Sequence, residues 1–286
     1  MDSVRAHGRI VEVPEAGPAD HVCWVYDGTP DLDAAAGRFL SGGLARGERL
    51  LIVGDGMIES LHRNTLPFGG TDELLATGAL QVLDLTGIHA GAAQCTPEQQ
   101  LALFDAATRQ AVDDGFTGLR VAAEVSALAA DPETRPALVR YEQLADDLVA
   151  HGSGFTALCA YRADLCPEAL SDVASVHPLV RAPEGVPPFQ VFHDGNGVVL
   201  TGSVDTFTAG RLGSVLAESP AARPATVLDI GRLDFIDVAG CRVLATWAQG
   251  LDEPLEVTGA SRLVQRMWRL LSLDQVAPAE FSAARP

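Results

Sequence analysis

The stretch Ala225-Thr-Val-Leu-Asp-Ile-Gly-Arg-Leu-Asp-Phe-Ile-Asp-Val-Ala-Gly-Cys-Arg-Val-Leu-Ala-Thr-Trp247 has the pattern of a strand, a short loop and a helix. Residues 225–230 are apolar and β-branched over the length of a strand. Residues 232–237 are a predicted loop with two carboxylates, and Asp237 is a good N-cap for the helix after it. The apolar residues of that helix recur at spacings of three and four and share one face: Val238, Cys241, Leu244, Ala245 and Ala248.

The turn Asp237-Val238-Ala239-Gly240 resembles the signature of STAS domains, the family of bacterial anti-sigma factor antagonists. Those domains carry an aliphatic strand and then an Asp-Ser-Ser/Thr-Gly turn that opens a helix, and a partner kinase phosphorylates the second hydroxyl residue. Ala239 stands at that position here, so the resemblance implies the fold and the docking face but excludes phosphorylation at this residue. Two outcomes stay open: a domain that is always competent to bind its partner, or one that has been repurposed. The implied partner-docking residues are Phe235, Asp237, Val238, Ala239, Gly240 and Cys241.

Composition describes an acidic chain that is long enough for two ordinary domains. It has 286 residues, 47% of them hydrophobic, and a net charge of −18. All basic residues are arginines, and the missing lysine excludes a Schiff-base lysine and a Walker-type phosphate lysine. The acidity disfavours nucleic acid and anionic membranes as partners.

Neither the termini nor the cysteines indicate export or a metal centre. No apolar run approaches the length of a spanning helix, and the first residues lack a signal core, so we expect a cytoplasmic protein. The five cysteines are widely spread and form no C-x-x-C pair or zinc spacing. We therefore expect reduced, mostly buried thiols, with no metal site and no cofactor.

Strands alternate with helices through the first 180 residues, which predicts a mostly parallel sheet with helices on both faces. After a loose lead-in over 1–19, with one short strand at 10–13, the first domain covers 20–180. Its predicted strands are 21–26, 50–53, 80–85, 118–125 and 155–161, and its predicted helices are 31–46, 58–64, 71–77, 97–114, 136–151 and 167–176.

A linker over 181–188, with three prolines, separates this domain from a smaller α/β domain over 189–286. The second domain begins with strands at 189–193 and 198–202, which the Asp-Gly-Asn-Gly turn predicts to be a hairpin. Helices at 207–218 and 261–271 and a strand at 255–258 accompany the signature segment. The order of elements matches that of the STAS fold.

Six segments of the first domain together resemble the MEDS sensory domain of methanogen and methylotroph regulators. The likeness spans 20–180 and implies a core similar to RecA-like ATPases and KaiC. It also implies binding of small ligands such as hydrocarbon derivatives. In many family members the sensory domain precedes a kinase, DNA-binding or STAS module. The segments are His21-Val-Cys-Trp-Val-Tyr26, Gly43-Leu-Ala-Arg-Gly-Glu-Arg-Leu-Leu-Ile-Val-Gly-Asp55, Leu119-Arg-Val-Ala-Ala-Glu124, Tyr141-Glu142, Leu158-Cys-Ala-Tyr161 and His177-Pro178.

Ligands of open parallel sheets bind outside the carboxyl ends of the strands, so the candidate ligand-binding residues are polar residues at those ends and in the quoted segments. Several of these candidates also have a structural interpretation. An aspartate there can cap a helix, a histidine can be a hydrogen-bonded core residue, and a tyrosine can be a core residue with a solvated hydroxyl. Glu124 lies inside an apolar strand and needs a partner, for which Arg120 and Arg140 are candidates, so ligand binding and structural pairing stay equally open. The candidate ligand-binding residues are His21, Cys23, Asp55, Glu124, Glu142, Tyr161 and His177.

These patterns favour a non-catalytic signalling regulator. The first domain would sense a small molecule, and the second would dock on an anti-sigma factor or a related ATPase-fold kinase. One alternative is a nucleotide-binding RecA-like ATPase, which the missing phosphate loop and lysine disfavour. Another is a redox or metal sensor built on His21, Cys23 and Cys159, for which two ligands in the first strand are thin support. In the leading interpretation, Asp237→Lys or Gly240→Trp abolishes partner capture without unfolding the chain.

Overall fold

The computed structural model of the chain describes residues 5–14, 20–63, 70–84, 96–195, 197–219 and 227–283. Some predictions fall outside these described ranges. They concern the start of the signature strand at 225 and 226, the ends of one helix at 64 and one strand at 85, the hairpin residue 196 and the cysteine at 95. None of the described helices is both long and apolar enough to span a lipid bilayer.

A seven-stranded sheet forms the first domain. Its strands are β1 (Gly8–Arg9), β2 (His21–Tyr26), β3 (Arg49–Val53), β4 (Leu80–Leu83), β5 (Leu119–Glu124), β6 (Phe155–Arg162) and β7 (Leu179–Arg181). Their order across the sheet is β1-β7-β2-β6-β5-β3-β4, and each described pair is parallel. Strands β2 and β3 are buried throughout because helices cover both faces. The predicted α/β fold with a mostly parallel sheet is confirmed.

The described helices of the first domain begin and end at recognisable signals. Helix α1 (Thr29–Arg46) has a proline in its first turn and is capped at its end by Gly47, whose φ of 74° suits glycine. Helix α4 (Pro97–Asp113) begins with a reciprocal capping box between Thr96 and Gln99. The helices are α1 (Thr29–Arg46), α2 (Asp55–His62), α3 (Thr71–Ala76), α4 (Pro97–Asp113), α5 (Ser126–Ala130), α6 (Arg135–Ala150) and α7 (Pro167–Ala174).

Alternate residues of β2 belong to two separate cores on opposite faces of the sheet. Val22 is in the same core as Phe39 of α1. Cys23 is in the other core, with side chains of α4, α6 and α7 such as Tyr141. Because side chains of a strand alternate, His21 faces the same side as Cys23, under α6.

The second domain contains a mixed sheet. Its strands are β8 (Phe189–His193), β9 (Val198–Val204), β10 (Val227–Asp229), β11 (Leu233–Ile236), β12 (Leu255–Thr258) and β13 (Ala279–Ser282), with the order β11-β9-β10-β12-β13. Strand β8 pairs with β9 as the predicted antiparallel hairpin, and the other described pairs are parallel. Its helices are α8 (Ala209–Ala217), α9 (Val238–Ala248) and α10 (Arg262–Leu270), followed by a 3₁₀ turn at Leu273–Gln275.

Several short elements differ from the predictions. The predicted loop at 232–237 contains edge strand β11, which pairs with the end of β9. Strands β7 and β13 and helix α5 were not predicted, because three to five residues carry too little periodicity to show a strand or helix. The strand predicted at 10–13 is wrong, since the first strand is the two-residue β1.

The lead-in is not loose over its described part, residues 5–14. Arg5 reaches the buried carboxylate of Asp146 at 2.7 Å. Arg9 donates from its guanidinium to the carbonyls of Ala182, Pro183 and Val186, and so holds the proline-rich linker against β1. Carbonyl groups of an irregular segment need such donors.

Candidate ligand-binding site and docking face

A polar cluster lies buried between the first sheet and α6. Strands β2 and β6 are neighbours in register, with Cys23 opposite Cys159, so His21 and Cys159 project from one face. Helix α6 covers that face and contributes Glu142, while His177 comes from the segment between α7 and β7. All these side chains are at most 4% exposed, which makes their mutual hydrogen bonds obligatory.

Glu142 is the centre of this cluster. Its Oε2 lies 3.1 Å from His21 Nε2 and 3.3 Å from Cys159 Sγ. Its Oε1 accepts a hydrogen bond of 2.7 Å from the hydroxyl of Tyr161. His177 Nε2 lies 3.6 Å from Oε2, and no described residue accepts or donates a hydrogen bond at that nitrogen. Four of the seven predicted ligand-binding residues, His21, Glu142, Tyr161 and His177, are therefore brought together.

The two imidazoles of the cluster differ in charge. Burial alone would lower the pKa of His21, but its hydrogen bonds to Asp146 and Glu142 raise it. Each ring nitrogen of His21 faces a carboxylate, which only accepts hydrogen bonds when it is ionised, so both nitrogens donate and the ring is an imidazolium. Burial and the neighbouring His21 lower the pKa of His177 to about 4, so that ring is neutral. Burial opposes ionisation of Glu142, yet the two imidazoles lower its pKa to about 2.

A small cavity of about 30 Å³ adjoins the cluster. His21, Glu142 and Cys159 form its polar end, and its remaining wall is mainly apolar, with Phe104 and Leu138 among the lining residues. A cavity of this volume holds one or two water-sized groups without rearrangement. The site therefore suits a ligand of very few non-hydrogen atoms.

The other predicted ligand residues lie elsewhere or in supporting positions. Cys23 is buried on the same face, beside Cys159, and burial raises its pKa well above the usual range. Asp55 is exposed at the start of α2. Glu124 faces the α1 side of the sheet, where it accepts hydrogen bonds from the Tyr26 hydroxyl at 3.3 Å and the Ser126 amide at 3.2 Å.

The predicted arginine partners of Glu124 are wrong. Arg120 pairs with Glu48 and stacks on Phe39, with its guanidinium 4.6 Å from the ring centroid. Arg140 pairs with Glu98 at the surface. A hydroxyl and an amide thus replace the expected arginines as hydrogen-bond partners of Glu124, both at Oε1, and its role as a ligand residue stays a prediction.

Sequence reasoning missed Asp146, which lies one turn after Glu142 on α6. Its Oδ1 lies 3.2 Å from His21 Nδ1 and 2.7 Å from Arg5 Nη1, and its Oδ2 accepts from the backbone amide of His193 at 2.7 Å. Burial opposes ionisation, but the Arg5 guanidinium keeps the pKa of Asp146 well below its usual range. The available signal was the spacing of four between two carboxylates on one otherwise apolar helical face.

The polar cluster is joined directly to the second domain. Gln190 of β8 donates to the carbonyl of His177 at 2.7 Å, and the amide of Val191 donates to the carbonyl of Ser175 at 2.7 Å. On α6, Gln143 donates to the carbonyl of Val215 in α8 at 3.0 Å. Together with the bond between Asp146 and His193, these contacts connect the cluster to β8 and α8.

The predicted docking face is only partly at the surface. Asp237 caps α9 as expected: its Oδ1 accepts from the Gly240 amide at 3.0 Å and its Oδ2 from the Thr206 hydroxyl at 2.8 Å. Phe235 and Val238 are 53% and 38% exposed, and Ala239 is half-buried.

The prediction that Gly240 and Cys241 belong to the exposed docking face is wrong. Gly240 and Cys241 are buried in the helix packing, so they support the face and offer a partner nothing. Phe207, which the sequence analysis missed, is 94% exposed beside Thr206, and a groove of about 160 Å³ runs along Phe235, Leu233 and Leu263. We name the α9 face the set formed by the exposed Phe207, Phe235 and Val238 and the half-buried Asp237.

Two known protein families match the chain, one in each of its two parts. Residues 20–178 match a family profile described as "MEthanogen/methylotroph, DcmR Sensory domain", and residues 190–278 match one described as "Mlab, STAS domain". No curated protein matches the chain at a significant level. The first match spans more than half of the 286 residues. The chain therefore belongs to the MEDS family of sensory proteins and carries a STAS domain behind its sensory domain.

Proposed function

We propose that the protein is a non-catalytic signalling regulator, in which occupancy of the cavity in the sensory domain alters the STAS domain and its binding of a protein partner. The observation that carries the proposal is the position of His21. Its ring joins Glu142, which lines the cavity, to Asp146, which holds the backbone of β8. A ligand that moves Glu142 acts through one imidazole on the first strand of the STAS domain.

The second route from the cavity runs through His177. Its ring lies against that of His21, tilted by 37° with centroids 4.1 Å apart, and its carbonyl accepts from Gln190 in β8. A shift of the cluster therefore reaches β8 at two places, residues 190 and 193. Since β8 is the antiparallel partner of β9, and β9 leads to Thr206 beside the cap of α9, the α9 face is the natural end of both routes.

A nucleotide-hydrolysing role has little support at the place where RecA-like proteins bind phosphate. The turn from β2 to α1 is short, and Asp31 places a carboxylate there that accepts from the amide of Asp27 at 3.0 Å. Arg181 pairs with this carboxylate at 2.5 Å. Phosphate binding needs free amides at a helix N-terminus and a basic side chain, and here the carboxylate of Asp31 already occupies Arg181 and the amide of Asp27 just before the helix.

Hydrogen exchange tests the coupling. Replacing Glu142 by glutamine keeps the shape of the side chain but removes its charge, and we expect the amides of Val191 and His193 to exchange about tenfold faster, because hydrogen bonds to charged groups contribute about 1.5–3 kcal/mol. The matched control is Glu124→Gln, a buried carboxylate on the opposite face of the same sheet. Equal exchange at β8 in the two variants would show that the cluster and the STAS domain are independent.

The partner we propose is an anti-sigma factor or a related ATPase-fold kinase that binds the α9 face. Support comes from the exposed aromatic side chains Phe207 and Phe235 beside a capped helix N-terminus. Aromatic residues at the centre of an interface contribute the most to binding. Ala239 has no hydroxyl group that could be phosphorylated. In this proposal the sensory domain therefore controls partner binding in place of phosphorylation at residue 239.

Binding measurements with purified candidate partners test this docking. Phe235→Asp is expected to weaken binding about 30-fold, which corresponds to a loss of about 2 kcal/mol. Leu270→Asp is the control, because Leu270 is 72% exposed in the same domain, at the far end of α10 from the groove. Measurement of the dissociation constant by surface plasmon resonance distinguishes them, and equal weakening by both changes would remove the α9 face from the proposal.

A further inference from the structure

We propose that His21, Glu142, Cys159 and His177 form a zinc site at the inner end of the cavity. From the sequence alone we expect no metal, because only His21 and Cys23 are near each other along the chain and no zinc spacing is present. The fold collects the donors from β2, α6, β6 and the segment after α7. One ligand atom from each of the four residues lies within 4.8 Å of all the others.

Four of the six separations between donor atoms are close to those around one tetrahedral ion, and the other two are at most 4.8 Å. With bonds of about 2.0 Å to nitrogen and oxygen and about 2.3 Å to sulfur, the ligand atoms of tetrahedral zinc lie about 3.3–3.7 Å apart. From Glu142 Oε2, His21 Nε2 is 3.1 Å, Cys159 Sγ 3.3 Å and His177 Nε2 3.6 Å away. Cys159 Sγ and His21 Nε2 are 3.7 Å apart. Two imidazoles, a thiolate and a carboxylate are ligand types that zinc accepts.

Contacts behind these donors are those that orient metal ligands. His21 turns its other nitrogen to the carboxylate of Asp146 at 3.2 Å, and His177 turns its Nδ1 to the carbonyl of Val173 at 2.8 Å. The second oxygen of Glu142 accepts from Tyr161. A histidine ligand commonly donates its free N–H to a carboxylate or a carbonyl, which sets the tautomer and points the other nitrogen at the ion.

His177 supplies an independent observation. Its Nε2 is buried and aimed at the cluster, yet no described residue bonds to it, and a buried polar atom of this kind needs a partner. A divalent cation satisfies this nitrogen and balances the carboxylate of Glu142 and the thiolate of Cys159. On binding, the thiol proton of Cys159 and the Nε2 proton of His21 leave to solvent, and the filled site carries no net charge.

Zinc at this place also defines the chemistry of the sensed molecule. The cavity adjoins Glu142 and Cys159, so a small ligand with one Lewis-basic atom and an apolar body can approach the ion and displace the carboxylate. This signalling role rests on the proposed function, whereas the presence of the ion does not. Metal content is therefore measured on the purified full chain, without partner or ligand.

The test uses full-length protein produced in minimal medium with Zn²⁺ or with Co²⁺ and freed of loosely bound metal by gel filtration with chelator. We expect one equivalent of metal per chain by mass spectrometry of the elements. The cobalt form should show the visible bands of tetrahedral Co²⁺ and a near-ultraviolet sulfur-to-cobalt charge-transfer band. Cys159→Ser should lose that band. Cys23→Ser is the control, because this equally buried thiol lies opposite Cys159 on the adjacent strand but outside the donor set.

Two results would overturn the zinc site. One is wild-type chain with a native near-ultraviolet circular dichroism spectrum and no stoichiometric metal after growth in either medium. The other is a charge-transfer band that Cys23→Ser removes and Cys159→Ser keeps. His177→Gln provides a second variant should Cys159→Ser not fold, and it should lower metal content at least tenfold. Neither result would bear on the exchange experiment at β8, which measures the proposed coupling.

Discussion

Asp146→Ala is expected to lower the free energy of unfolding by about 3–5 kcal/mol, since removing one partner from a buried ion pair leaves the other charge uncompensated. Asp146 is fully buried and serves three donors at once: the Arg5 guanidinium, the His21 ring and the His193 amide. Removing this carboxylate takes a counter-charge away from Arg5 and His21. It also removes the acceptor for the His193 amide at the end of β8. Chemical denaturation followed by circular dichroism measures the change as a shift of the midpoint.

The control for Asp146 is its neighbour Asp147. Its side chain is 24% exposed and lies 3.6 Å from His151 on the outer side of α6. Exposed pairs of this kind contribute about 0–1 kcal/mol, so Asp147→Ala should shift the midpoint only slightly. Similar losses in the two variants would mean that the network around Asp146 contributes no more than a surface charge.

Gly240→Ala is expected to destabilise the STAS domain by about 1–3 kcal/mol, although alanine is the better helix former. A Cβ at this position would lie 2.6 Å from Cγ1 of Ile236 and 2.8 Å from Cγ1 of Val204. Both side chains are buried, so neither can move aside without strain. Gly240→Trp therefore disrupts the packing of α9, and the expectation that it would act on partner capture alone is wrong.

A second helical glycine supplies the matched comparison. Gly210 lies in the first turn of α8, and a Cβ there would meet no atom within 4 Å. Gly210→Ala should stabilise the domain by about 0.5–1 kcal/mol through helix propensity and the lower entropy of the unfolded chain. Thermal unfolding of both variants tests the pair, and stabilisation by Gly240→Ala would show that the packing around α9 yields easily.

Periodicity and terminal signals along the chain determined most of the fold. Alternating buried strands and amphipathic helices predicted the parallel sheet, and the turn after His193 predicted the hairpin of β8 and β9. Asp237 was identified as a helix cap from its position alone, because capping involves amides only two or three residues away. Such features depend on neighbours in sequence, and local rules describe them.

Only the tertiary structure decided which polar residues meet. The period of a strand places His21 and Cys23 on one face, but only packing shows that α6 covers that face and inserts Glu142 and Asp146. Packing likewise assigns Arg120 to Glu48 and leaves Glu124 to Tyr26 and Ser126. Strands as short as β11 and β13 exist because a neighbouring strand supplies their hydrogen bonds. Contacts between residues far apart in sequence arise from the packing of whole elements, which no local pattern records.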